Sequence, residues 1–281
     1  GDGRLDLFTA DACLMGNVES LLMLDGVVRW VVASPEPIPL SGFDFSSFAD
    51  SSTLVESEAT EARVKYLVKH ANPKAHLSNR LYVLAGHDMI HFPAFRDAFN
   101  AVLDYLANED NMRNHETRLA KLIYENPEAK DLKPSCVDKS GSPVALDKCA
   151  TYYHATTHLK FSTRRFLEAF IDPAVGQPLA GLATTALAEL DRFMEKGHSG
   201  GEQVIGHDLL PFAWFISDPV ALANEFDSSA SALVEKGFLA IPDWAPLDSL
   251  HRFNAAWAEI RGHQLRTRKK ARWIPETRST N

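Results

Sequence analysis

Apolar and polar positions alternate along residues 4–13 and then give way to an apolar run, with Leu5, Leu7, Phe8, Ala10 and Ala12 marking a buried strand. Val18, Leu21 and Leu22 follow at helical spacing over Asn17–Leu24, and Gly26 ends that helix. Val27–Ser34 is rich in β-branched residues and predicts a second strand. Pro35, Pro37, Pro39 and Gly42 then impose an extended loop. A helix is expected over Ala59–His70, a third strand over Arg80–Gly86, and a helix over Pro93–Asn108 whose stripe is Phe95, Phe99, Val102 and Leu106.

Strands and helices that alternate with short connections predict an α/β fold, a mostly parallel sheet flanked by helices. From about residue 110 the pattern changes to helices and polar loops. Leu179, Leu182, Ala186, Leu190 and Phe193 trace one amphipathic helix, and Leu247, Leu250, Phe253, Trp257 and Ile260 trace another. The chain therefore divides into an α/β core over residues 1–108 and a helix-rich extension over 109–281. Three strands are few for such a sheet, and the chain enters a strand directly at Leu5. The expectation is that further strands lie in an N-terminal piece preceding Gly1.

Composition is that of a globular chain, with 45% hydrophobic and 23% charged residues and no apolar run of membrane-spanning length. Charge is more informative than composition. The net −8 conceals a basic end, since residues 261–281 hold seven Lys or Arg against one Glu. That end carries +6 and leaves −14 on residues 1–260. The acidic bulk repels phosphate, so the basic end reads as a solvated helix terminus and not as a nucleic-acid or membrane contact. Cys136 and Cys149 bracket a turn-forming Lys139-Ser140-Gly141-Ser142-Pro143. A bridge between them would indicate an oxidising compartment, secreted or periplasmic, in preference to the cytoplasm; two unpaired loop thiols fit the sequence equally well.

Cys13 lies at the C-terminal end of a strand, just before a helix. In open α/β sheets that edge is where ligands bind, and the backbone N–H groups there favour a thiolate and an oxyanion. Position alone leaves an inert buried thiol as an equal alternative. The stretch Asp11-Ala12-Cys13-Leu14-Met15-Gly16, with Glu19 three residues on, resembles the nucleophile motif of the clostripain family, relatives of caspases, gingipains and legumain. Val32-Ala33-Ser34-Pro35-Glu36, Gly42-Phe43-Asp44-Phe45 and Tyr82–Asp88 follow in family-like order. The chain departs from the family at Pro35 and His87, where an acidic and an apolar residue are usual.

The resemblance implies a caspase-like peptidase that cuts polypeptides after Arg or Lys. Cys13 would be the nucleophile and its backbone N–H an oxyanion donor. Asp11 would line the S1 pocket, with Ser34 and Glu36 as further wall residues. None of the eleven histidines stands in the family's His-Gly motif. The general acid/base is accordingly expected on an N-terminal fragment of the same precursor, released by autoprocessing of a zymogen and held as a partner. Some relatives need calcium, which would take oxygen ligands from loops.

Two other classes remain open in the sequence. One is an inactive caspase-like scaffold that binds partners without cutting them. The other is a metal-dependent hydrolase using the i,i+4 pairs His87/His91 or His154/His158, although neither carries the glutamate of His-Glu-x-x-His.

Overall fold

The computed structural model describes residues 3–12, 15–35, 46, 59–70, 84–124, 161–200, 210–212, 247–257 and 259–260. Its elements are β1 (Leu5–Thr9), α1 (Val18–Leu24), β2 (Val28–Ala33), α2 (Ala59–His70), β3 (Leu84–Asp88), α3 (Phe92–Ala107), α4 (Glu109–Tyr124), β4 (Phe161–Ser162), α5 (Thr163–Glu168), α6 (Leu179–Lys196), β5 (His198–Gly200) and β6 (Pro211–Phe212). Residues 248–257 are also helical.

Four strands form the main sheet in the order β1-β2-β3-β5, and β4 pairs with β6 in a separate ribbon. Leu7 lies opposite Trp30 in the parallel β1–β2 pair. Val31 lies opposite His87 in the antiparallel β2–β3 pair, and Gly86 opposite His198 in the antiparallel β3–β5 pair. The layered α/β arrangement is the one expected. Parallel pairing among the described strands is confined to β1 and β2, because β3 and β5 extend the sheet in alternating directions.

Local chemistry accounts for the element boundaries. The Oδ1 of Asn17 accepts from the Ser20 N–H at 2.8 Å and caps α1. Gly26 turns the chain back at φ +74°, where a side chain would be strained, and β2 follows. The third strand runs through the polar His87 and Asp88, past the end at Gly86 that the apolar pattern suggests. Residues 80–83 lie outside the described residues.

The larger core covers one face of the sheet. Val31 and Ala33 from β2 meet Phe92, Phe95 and Phe99 of α3 and Leu190 and Phe193 of α6, all buried. The rings of Phe95 and Phe193 stack at 6.1 Å between centroids. Phe166 of α5 carries the cluster on to Phe253 in the last helical segment, at 5.8 Å. Residues from both sides of position 108 thus share this one core. The second face is narrower: Trp30, Val32 and Leu84 pack beneath Val64, Leu67 and Val68 of α2.

Candidate active site

The site expected from the sequence stands where β1 and β2 end side by side. Beyond Thr9, the Ala10 N–H still donates to the Val32 carbonyl at 3.0 Å, and Ala10 is buried. The chain then leaves the sheet, and Asp11 and Ala12 are exposed. Cys13 and Leu14 lie outside the described residues. At Gly16 the chain returns, its N–H donating to the Ser34 carbonyl at 2.8 Å. Asn17 then caps α1 as described. The motif segment is therefore anchored at both ends to the last residues of β2, with five residues between the anchors.

The candidate pocket residues separate by burial. Asp11 is exposed just beyond the end of β1. Ser34 is fully buried, and so is Pro35 beside it; Gly16 packs directly against both. Glu36 lies outside the described residues. In the sequence alone Gly16 has no role beyond its place in the motif. A glycine where the chain rejoins a neighbouring strand end is the signal that could have marked it.

The described histidines occupy other places. His87 sits within β3 on the large-core face, buried, its ring stacked on Phe193 at 5.7 Å. Its Nε2 has no hydrogen-bond partner among the described residues, and burial pushes its pKa down to about 4. His91 precedes α3, exposed, with Nε2 3.8 Å from Asp88 Oδ2. The alternative of a helical metal pair at His87 and His91 finds no helix to hold it: His87 is in a strand and His91 at a helix start, with Pro93 in the first turn of α3. His154 and His158 lie outside the described residues, as do Cys136, Cys149 and the basic end at 261–281. Among the described residues no group of three or more His, Cys, Asp or Glu is placed to hold a metal ion.

His198 stands level with Val32 through Gly86, two strands beyond β2 and on the side away from β1. At about 4.8 Å per strand it is roughly 10 Å from the end of β2. It is held there by stacking on Trp30 at 5.5 Å and by Glu61 Oε1, 3.2 Å from its Nε2. His115 packs edge-on against Phe170, far along the chain from the strand ends.

The clostripain family model matches residues 1–172, more than half of the chain. The chain belongs to the clostripain family. It is a clostripain-family cysteine peptidase, and the motif around Cys13 falls within the matched region. In three dimensions this peptidase is similar over 88% of its length to a clostripain from Bacteroides thetaiotaomicron ATCC 29148, solved in complex with the peptide inhibitor BTN-VLTK-AOMK. That match has 10% identity, 87% coverage of the other chain and a TM-score of 0.46. A B. fragilis cysteine protease matches over 90% of both chains at 13% identity and a TM-score of 0.47. An inactive zymogen C11 protease from Parabacteroides distasonis matches 88% of this chain and 59% of its own, at 10% identity and a TM-score of 0.47. No curated protein matches. Among the described residues no helix of this clostripain-family chain is long and apolar enough to cross a membrane.

Proposed function

We propose that the chain is the nucleophile-bearing part of an endopeptidase that cleaves polypeptides after Arg or Lys, with Cys13 as the attacking thiolate. The observation that carries this reading is the family motif suspended between two hydrogen bonds to the end of β2, Ala10 to Val32 and Gly16 to Ser34. A thiolate in that segment attacks the scissile carbonyl, and backbone N–H groups, that of Cys13 among them, hold the oxyanion. A histidine protonates the leaving amine, and water then releases the acyl group from sulfur. That histidine comes from an upstream or separate segment of the same precursor, freed by autoprocessing after a basic residue. The described histidines support this division of labour, since His87 is walled off behind the sheet and His198 is tied to Glu61 and Trp30. Secretion or export to a periplasm suits such an enzyme.

Asp11 supplies the P1 preference. Exposed just beyond the end of β1, its carboxylate can hold a guanidinium or ammonium by charge-assisted hydrogen bonds, and Ser34 and Glu36 are the further wall residues of this reading. The test uses the complete polypeptide and a peptide set varied at P1. Cys13→Ala abolishes cleavage, and a chloromethyl ketone ending in Lys labels Cys13 but neither Cys136 nor Cys149. Asp11→Asn lowers kcat/KM for basic P1 residues by roughly thirtyfold or more, with little change for neutral ones. Cleavage by Cys13→Ala, or a preference for acidic P1 residues, would refute the proposal.

A further inference from the structure

Gly16 is buried where the chain rejoins β2, and nothing larger fits there. A Cβ built on it would stand 2.8 Å from the Pro35 nitrogen, 2.9 Å from the Ser34 carbonyl carbon and 3.2 Å from Pro35 Cδ. The two closest atoms are backbone, so no change of rotamer relieves them. The need is for space and not for an unusual backbone, because the φ of Gly16 lies outside the left-handed region. The same close approach brings the Gly16 N–H to the Ser34 carbonyl at 2.8 Å. A hydrogen bond and a contact that only glycine permits, both arising from this one approach, therefore clamp the motif segment to the Ser34–Pro35 peptide.

We infer that Gly16 is a positioning residue, one that fixes the height of the nucleophile against the pocket wall. The inference rests on reading Cys13 as the nucleophile and Ser34 and Glu36 as part of the wall. A P1 side chain seated against that wall places the scissile carbonyl at a set distance from β2. The clamp makes the thiolate hold the same reference, since its segment is tied to the same peptide. Loosening the clamp leaves the pocket and the acidity of the thiol intact but puts the carbonyl and the sulfur out of register. A misplacement of about 1 Å between reacting groups costs up to roughly a hundredfold in rate.

The test compares wild type, Gly16→Ala, Pro35→Gly and Cys13→Ser, each as the complete polypeptide, with kcat expressed per site titrated by a Lys chloromethyl ketone. Gly16→Ala is expected to lower kcat by roughly ten- to a hundredfold while KM for a Lys peptide stays within about twofold. Iodoacetamide, too small to use the pocket, should alkylate Cys13 in this variant with the wild-type pH profile. Pro35→Gly, which relaxes the partner peptide without creating a clash, should show the same split to a lesser degree and stands in if Gly16→Ala fails to fold. Wild-type kcat in either variant, or an alkylation profile displaced along the pH axis, overturns the positioning role. Cleavage at the wild-type rate by Cys13→Ser removes the nucleophile reading and this inference together. An inactive Cys13→Ser alongside a fully active Gly16→Ala removes the inference alone.

Discussion

On one face of the sheet, α1, α3 and α6 cover β2 and β3 with a cluster in which Phe92, Phe95 and Phe193 touch one another and the chain beyond contributes Phe166 and Phe253. On the other face, α2 is the one helix among the described residues that lies over Trp30, Val32 and Leu84. Each face also holds a histidine stacked on an aromatic ring, and the two are treated differently. His87, on the thick face, is buried against Phe193 with its Nε2 unpartnered among the described residues. His198, on the thin face, lies on Trp30 and meets the exposed carboxylate of Glu61. The contrast assigns stability to the first face and adjustability to the second. The thick face can bury a polar ring without a partner because its apolar area outweighs the loss. The thin face keeps its ring wet and paired.

The sharpest way to break this comparison is to empty each face in turn. Phe193→Ala should cost about 3–5 kcal/mol in urea denaturation, and Leu67→Ala about 2 kcal/mol, since a lone helix over a small cluster can settle into the space left. Equal losses would show that the thin face is no weaker than the thick one. Amide exchange should agree, with α2 opening at lower free energy than α3.

Acid comes next in size. His87 is neutral in the folded protein, with its pKa lowered from 6.5 to about 4 by burial, so the unfolded chain binds the extra proton first. Stability from this group is whole above pH 6.5, falls as pH drops towards 4 and is gone below it, a loss of about 3 kcal/mol. His87→Leu should flatten that part of the stability profile, and the gap between variant and wild type should open only below pH 6.5. An unchanged profile would place a proton-accepting partner beside Nε2. The smallest effect belongs to the thin face: Glu61→Gln should change stability by a few tenths of a kcal/mol and lose even that in high salt, because the carboxylate is largely exposed. A loss above about 1 kcal/mol there would overturn the reading of the thin face as the weaker of the two.

The elements legible in the sequence were those with a full period to display. The bounds of α2, the stripe of α3 and the faces of α6 follow from where apolar residues recur. The end of β3 was read two residues too early because His87 and Asp88 look like a turn. What puts His87 in a strand is Phe193, more than a hundred residues on, and no local pattern carries that. β5 was invisible for the same reason: His198-Ser199-Gly200 is too short and too polar to show alternation. At the site, the motif drew attention to Cys13 and Asp11, and the strand end to Ser34. The burial of Ser34 and the steric need for Gly16 both depend on how residues 16 and 34–35 meet, which is a property of the folded sheet.

The pairing of Gly86 with His198 closes the sheet with a strand made more than a hundred residues after its neighbour. At roughly ten residues per second, a nascent chain waits on the order of ten seconds between the two. During that interval the outer edge of β3 has no β5, Trp30 has no ring above it, and the phenylalanines of α3 lack Phe193. Contacts of such sequence separation are slow to form, because the intervening chain must be closed into a loop before they repay its entropy. The motif-bearing stretch and the length of chain that completes this sheet are therefore different. A fragment cut at residue 172, where the family match ends, would keep the motif and the two strands beside it, yet lose α6 with Phe193 from one face and the His198 ring over Trp30 from the other.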